Sequence, residues 1–222
     1  MFRYGFWLLA LSAFAADPVV LLEKANVDVH DKQSVLRGAH IFKTQCLSCH
    51  ALAHWRYDDV AKEANITTEM MPSWPSDAWG GHPPPDLSLI ALEIGVNKLY
   101  TYLTSYFTDT TRPTGANNLV YPNTSMPNVL ARLQGDVYLK PGLSLTILAN
   151  APKRHWYQVV DFGQAGQLDP DAFDLYLHDI VSFLSYVADP SVYERHQLAP
   201  YVLGYLVLMM VLTYWWYRNQ EK

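Results

Sequence analysis

The two cysteines of this chain stand two residues apart in "CLSCH", residues 46–50, and a histidine follows them directly. Three chemistries use such a pair: a structural disulfide, a redox dithiol, and covalent attachment of a haem. Only the haem uses the histidine, whose imidazole binds the iron. A redox dithiol is typical of a βαβ chain, and no alternation of strands and helices is visible here. The motif therefore predicts a haem held by Cys46 and Cys49 with His50 as an axial ligand, and a small disulfide is the alternative.

The first residues have the pattern of a secretory signal. "MFRYGFWLLALSAFAAD" carries a basic residue at Arg3, a short apolar run from Phe6 to Phe14, and small residues at Ala13 and Ala15. The apolar run is too short to span a bilayer comfortably. We expect a signal peptide over residues 1–15; an uncleaved anchor is the alternative.

The other end has the pattern of a membrane anchor. No charged residue occurs from Leu198 to Tyr217, and about 20 apolar residues match the hydrocarbon thickness of a bilayer. Tyrosines and tryptophans stand at both ends of this segment, and Arg218 and Lys222 follow it as cytoplasmic positive charges. The sequence predicts a transmembrane helix at 198–217, a cytoplasmic tail at 218–222, and an exported domain at 16–197 in the periplasm of a bacterial cell.

The exported part is acidic. Residues 17–197 hold 20 acidic and 13 basic residues, a formal charge of −7, which disfavours nucleic acid as a partner. Between Arg154 and Arg195 there is no lysine or arginine but there are seven acids. Such a run favours a cationic protein partner, although a solvated helix face is an equally good interpretation of the charges alone.

Periodicity predicts several helices. In "SVLRGAHIFKTQ" the apolar residues recur at helical spacing, and Gly38 marks a close crossing with another helix. Residues 51–86 are rich in proline, glycine and tryptophan, so we expect a long ordered loop. A helical segment follows, with Gly95 as a point where it splits. Asp169 and Pro170 then form the start of a last exported helix, which "ADP" at 188–190 ends.

A second axial ligand is the next requirement of a haem iron, because methionine there gives a closed electron carrier and an open position gives ligand binding. Met126 precedes a proline in "NNLVYPNTSMPNVL", which holds the backbone extended, as a loop presenting a sulfur would need. Met71 also precedes a proline but follows His50 by only about twenty residues. We favour Met126, with Met70, Met71 and His82 as alternatives.

Several segments in this order resemble the cytochrome c1 family, the haem subunits of ubiquinol:cytochrome c reductase. They are "CLSCH", "PPPDLS" at 83–88, "TRPTGANN" at 111–118, "SMPNVL" at 125–130, and "DIVSFLSYVADP" before a single tail anchor. The resemblance covers nearly the whole mature chain, and the short length is more like a bacterial member than a mitochondrial one.

The resemblance implies one covalently attached haem c per chain. Cys46 and Cys49 would hold it, and His50 and Met126 would be its axial ligands. The prolines at 83–85, which include Pro84 and Pro85, would wall one haem edge.

One position departs from the family pattern. The family usually places an arginine facing a haem propionate shortly after the proline motif, where this chain has Leu92, Glu93 and Ile94. Arg112 and Lys98 are the candidates to neutralise the propionates instead, unless both are simply solvated.

The fold we expect is mainly α: a cytochrome c-like haem domain with a long loop insertion, followed by one transmembrane helix. By the resemblance, a Rieske iron-sulfur protein reduces the haem beside a cytochrome b subunit, and a soluble c-type cytochrome or an equivalent carrier removes the electron. The chain makes or breaks no substrate bond itself; its enzymatic role is as a subunit of the reductase. A membrane-bound haem c carrier of another respiratory chain or terminal oxidase is one alternative, and a haem sensor or peroxidase is another.

Overall fold

A computed structural model describes residues 17–220 of the protein, apart from the side chains of residues 192–194. The signal peptide predicted at 1–15 lies outside the described residues. The described chain is mainly α, as predicted. Its helices are α1 Lys32–Gln45, α2 Asp59–Ala64, α3 Ala78–Gly81, α4 Ile90–Glu93, α5 Val96–Thr104, α6 Ala131–Gln134, α7 Leu145–Ala149, α8 Pro170–Ala188 and α9 Val192–Gln220. Its strands are β1 Tyr106–Thr108, β2 Ala116–Asn118, β3 Gly135–Leu139 and β4 Val160–Ala165.

Helices α1 and α8 cross at Gly38, the residue that the sequence marked as a close approach. A Cβ at Gly38 would lie 2.0 Å from the Asp179 carbonyl oxygen and 2.6 Å from Phe183 Cβ, so no larger side chain fits without a shift of the helices. Beside this contact the buried Asp179 carboxylate accepts two bonds from Arg37, at 2.6 and 2.8 Å, and one from Ser34 Oγ at 2.7 Å. The crossing therefore combines close backbone packing with a paired buried charge.

The caps of α8 agree with the sequence. Asp169 accepts from the Ala172 N–H at 2.9 Å, and Pro170 occupies the first turn. The helix buries one face, and its buried apolar residues are Phe173, Leu177, Ile180, Val181, Phe183, Leu184 and Val187. This face and the buried face of α1 form the main core together with α2 and α5.

The loop predicted over residues 51–86 contains more helix than expected. Residues 59–64 form α2, capped by the Asp58 carboxylate at the Val60 and Ala61 N–H groups, so the prediction was wrong there. The rest has only a 3₁₀ turn at Thr68–Met70 and the single turn α3, in which Trp79 has φ of 56°. Further along, Gly95 with φ of 82° separates α4 from α5, as predicted.

Two small antiparallel sheets lie beside the helical core. Strands β1 and β2 pair with Tyr106 opposite Asn118, and β3 and β4 pair with Val137 opposite Phe162. Their apolar side chains form a second, smaller core that includes Phe107, Leu119 and Val160. The strands are only three to six residues long, which is too short for alternation to be recognised in the sequence.

Helix α9 carries the apolar tail. Its segment Arg195–Gln220 is long and apolar enough to cross a membrane, and its side chains are exposed. Only Asp189–Ser191 separate α8 from α9, and both carboxylate oxygens of Asp189 pair with Arg195, at 2.5 and 2.9 Å. The C-terminal helix is thus compatible with membrane anchoring and is joined closely to the core helix α8.

Candidate functional site

The "CLSCH" segment turns directly off the end of α1. The Cys46 N–H donates to the Phe42 carbonyl at 2.9 Å, and the His50 N–H donates to the Cys46 carbonyl at 2.8 Å. Both cysteines are free thiols. Burial raises the pKa of the Cys46 thiol to about 12, and Cys49 adds to this shift. The segment therefore brings two sulfur atoms and one imidazole to the same wall of the protein.

The His50 imidazole is held in one orientation. It is 8% exposed, and its Nδ1 lies 2.8 Å from the Pro85 carbonyl oxygen. Because a carbonyl only accepts, Nδ1 carries the proton and the lone pair of the neutral ring is on Nε2. Burial lowers the pKa of His50, although the bond to Pro85 opposes this. A neutral imidazole with its second nitrogen bonded to a carbonyl is the usual form of a metal-binding histidine.

The proline motif is fastened to the chain that follows His50. The Leu87 N–H donates to the Ala51 carbonyl at 2.9 Å, and the Asp86 carboxylate accepts from the Ala53 N–H at 2.7 Å. The Ser88 hydroxyl accepts from the His54 N–H at 3.0 Å. These bonds fix Pro85 beside the imidazole, which explains why the motif has a proline run followed by Asp86 and Ser88.

These residues face a largely apolar cavity of about 630 Å³. This volume lies within the range of ~300–1,000 Å³ that is usual for cofactor and ligand sites. Cys46, Cys49, His50, Met126, Pro84, Pro85 and Arg112, all named from the sequence, line it. Helix α5 contributes Leu99 and Leu103 to the lining, and α8 contributes Ile180 and Leu184, so these two helices form part of the cavity's apolar wall.

The alternatives to Met126 lie elsewhere or are already bonded. The Met71 sulfur accepts the Leu52 N–H at 3.1 Å, and Met70 is 41% exposed, outside the cavity lining. His82 lines the cavity but is an exposed residue at its rim. Of Met126 and its three alternatives, Met126 is the one that is both half-buried and in the cavity wall.

The two candidate propionate partners differ in position. Arg112 lines the cavity; its Nη2 donates to the Asn123 carbonyl at 2.9 Å, and its buried Nε has no hydrogen-bond partner among the described residues. Lys98 lies outside the lining, with its ammonium 4.5 Å from the centre of the Tyr121 ring, which does line the cavity. A buried cationic N–H without an acceptor is costly, and an anionic group in the cavity would satisfy it.

The residues present therefore fit a covalently attached haem. Two thiols stand next to an imidazole with a free nitrogen, and a thioether lies in the same apolar cavity. The unsatisfied N–H of the Arg112 guanidinium could bond an acidic substituent of the haem. This is the donor set that a closed, low-spin haem c requires.

Two tryptophans that the sequence did not single out cover part of the cavity rim. The Trp74 indole donates to the Cys49 carbonyl at 2.8 Å, and Trp79, which lines the cavity, packs on it with ring centres 5.8 Å apart. Both rings remain over one third exposed. The many tryptophans in residues 51–86 were noticed in the sequence, but nothing there predicted that Trp74 and Trp79 lie beside Cys49.

Several carboxylates of the acidic run between Arg154 and Arg195 are buried or already bonded, so fewer are free than its composition suggested. Asp179 is buried against Arg37, Asp189 pairs with Arg195, and Asp174 accepts from the Tyr100 hydroxyl. Asp161 and Asp171 are exposed. Only part of the run can therefore act as a charged surface.

Comparisons with known proteins concern the chain as a whole. The model of the Cytochrome C1 family matches residues 64–222. The chain is 33% identical over 218 residues to cytochrome c1 of Allochromatium vinosum, covering 87% of this chain and 85% of that protein. It is also 31% identical over 220 residues to a protein named ammonia monooxygenase gamma subunit from Nitrosomonas europaea, covering 91% and 88% of the two chains.

Proposed function

Because the chain belongs to the cytochrome c1 family, we propose that it passes one electron from a Rieske iron-sulfur protein, through a covalently bound haem c, to a soluble c-type cytochrome. Membership in the family makes the chain a haem c electron-transfer subunit of a cytochrome bc1 complex. The proposal adds the donor, the acceptor and the residues. Its main support is the convergence of Cys46, Cys49, His50 and Met126 on one cavity.

Each of these residues has a separate task. Cys46 and Cys49 would attach the porphyrin, His50 would bind the iron through Nε2 while Pro85 fixes its ring, and Met126 would supply its sulfur as the other ligand. The haem, when bound, takes up and releases one electron at its iron. Thioether ligation and the apolar walls keep water from that iron and favour a high reduction potential.

The same proposal gives the chain its orientation. Residues 1–15 direct export, residues 16–197 form the periplasmic domain, residues 198–217 span the inner membrane, and residues 218–222 face the cytoplasm. The length and apolar character of α9 support the membrane span in this arrangement. Beside cytochrome b in that membrane, the haem domain is on the side where an iron-sulfur protein and a soluble carrier can both reach it.

The test uses membranes that hold the whole complex. We expect quinol to reduce the haem of this chain rapidly, and removal of the iron-sulfur subunit to abolish that reduction while leaving the haem chemically reducible. Rapid reduction by quinol without the iron-sulfur subunit would contradict the proposed donor. Dithionite reduction of both preparations is the control for haem content.

A second candidate function follows from the Nitrosomonas relative, whose name assigns it to a monooxygenase. The chain would then be a haem c subunit of another membrane oxidoreductase, with the same ligands and different partners. Purifying the complex through this chain distinguishes the two. Cytochrome b and an iron-sulfur protein should accompany it under the first proposal, and monooxygenase subunits under the second.

A further inference from the structure

A chain of hydroxyl groups runs behind the segment that carries Met126. The Tyr106 hydroxyl donates to the Tyr102 hydroxyl at 2.5 Å, and the Tyr102 hydroxyl lies 3.1 Å from Thr124 Oγ1. The ends of this chain reach the Met126 backbone on both sides: the Tyr106 hydroxyl is 3.4 Å from the Met126 carbonyl oxygen, and Thr124 Oγ1 accepts the Met126 N–H at 3.4 Å.

The two phenols are well suited to hold a backbone segment permanently. Tyr106 is 2% exposed in β1, and Tyr102 lies on the buried end of α5, with their rings 5.2 Å apart. Burial raises the pKa of both phenols, so both keep their protons, and their role as donors, at every physiological pH. Their positions come from a helix and a strand, which are more rigid than the loop they contact.

The segment around Met126 depends on such contacts because it has no regular structure from Leu119 to Leu130. A thioether ligand presented by an irregular loop stays on its iron only if the loop is held in place. Tyr106 itself lies outside the cavity lining, whereas Tyr102, Thr124 and Met126 are part of it. The hydroxyl of Tyr106 therefore acts on the cavity through the Met126 segment.

We propose that Tyr106 is a positioning residue for the Met126 ligand, acting through its bond to Tyr102 and its contact with the Met126 carbonyl. The inference rests on the proposed function, since it takes Met126 to be the axial ligand. It assigns to a buried phenol on β1 the task of keeping the sixth position closed.

The test compares three variants of the full-length, haem-loaded protein in membranes. Tyr106→Phe removes one hydroxyl and leaves the ring. We expect its reduction potential to fall and the fraction of reduced haem that binds carbon monoxide, at low gas concentration, to rise roughly two- to tenfold, the range that losing one hydrogen bond gives. Met126→Leu is the reference and should bind carbon monoxide fully.

Tyr100→Phe is the matched control. It also removes a buried phenol hydroxyl bonded to a side chain, in this case Asp174, but it lies outside the cavity lining. We expect it to lower thermal stability without changing the potential or the carbon monoxide binding. If Tyr106→Phe does not accumulate, Thr124→Val breaks the same chain at its other end and should give the same result.

The two possible failures are separate. If Met126→Leu opens the iron while Tyr106→Phe behaves like Tyr100→Phe, the positioning role is wrong and the ligand assignment stands. If Met126→Leu leaves the potential and the carbon monoxide binding unchanged, the ligand assignment is wrong and the positioning role falls with it.

Discussion

At the scale of single residues, Arg112 brings an incompletely bonded cation to the wall of the cavity. Its Nη2 is satisfied by the Asn123 carbonyl, while its buried Nε faces no acceptor among the described residues. Leu92, Glu93 and Ile94 stand where the resemblance to the family led us to expect an arginine. Arg112 in "TRPTGANN" supplies a cation to the cavity from a different segment.

We predict that Arg112→Gln lowers the reduction potential of the haem. The oxidised haem carries one more positive charge than the reduced haem, so a nearby cation favours the reduced form, and its removal has the opposite effect. A loss of about 1 kcal/mol corresponds to roughly 40 mV for one electron. A redox titration measures this shift. Lys98→Gln is the control and should shift the potential less, because Lys98 stacks on Tyr121 outside the lining; equal shifts would argue against the role of Arg112.

Much of the site could be predicted at this scale because its candidate residues stand in short sequence motifs. "CLSCH" predicts a haem site within five residues, whereas a methionine before a proline occurs at both Met71 and Met126 and left two candidates. The roles of Tyr102, Tyr106 and Thr124 could not be predicted, because a tyrosine or threonine is equally common in an ordinary core. Only the fold brings these three hydroxyls into one chain behind Met126.

At the scale of elements, the crossing of α1 and α8 determines whether the site forms. Helix α1 leads into Cys46, and α8 supplies Ile180 and Leu184 to the cavity wall. The two helices meet at Gly38, where the backbone of one touches the backbone of the other. A change at this crossing should therefore disturb both stability and haem binding.

We predict that Gly38→Ala destabilises the domain by about 1–3 kcal/mol or more, the usual cost of overpacking. The added Cβ would lie 2.0 Å from the Asp179 carbonyl oxygen. Thermal unfolding of the haem domain measures the effect. Gly204→Ala in α9 is the matched control, since nothing lies within 4 Å of its Cβ position and alanine favours a helix. If Gly38→Ala leaves thermal unfolding unchanged, α1 and α8 can move apart without loss of stability.

The sequence predicted the long helices better than the short elements. Both α1 and α8 have apolar residues at helical spacing over several turns, and Asp169 with Pro170 marks the start of α8. Helix α2 has only six residues, and the strands of the two small sheets are of similar or shorter length. Such elements form because tertiary contacts favour them, and a single sequence contains little signal for those contacts.

At the scale of the whole molecule, residues 17–197 carry a net negative charge. No lysine or arginine occurs between Lys62 and Lys98, a stretch that includes the exposed Trp74 and Trp79 at the cavity rim. Asp161 and Asp171 remain exposed in the acidic run. A basic carrier would be attracted to such a surface.

We predict that electron transfer to a basic soluble cytochrome slows as salt is added. Screening weakens attraction beyond a Debye length of roughly 10 Å at 0.1 M. Stopped-flow rates at several ionic strengths give the slope, and Asp161→Asn should make it shallower. Asp179→Asn is unsuitable as a surface variant, because Asp179 is buried against Arg37. A rate independent of salt would leave the acids as a solvated face.

With α9 in a membrane, as proposed, the short connection between α8 and α9 limits how far the cavity can move from the bilayer. Ile180, in the cavity wall, lies eight residues before the end of α8, which is about 12 Å along a helix axis. Asp189–Ser191 extend at most about 10 Å, and the Asp189–Arg195 pair braces them. A haem bound there would have almost no reach of its own. The electron donor and the acceptor would then have to move to a haem that stays in place.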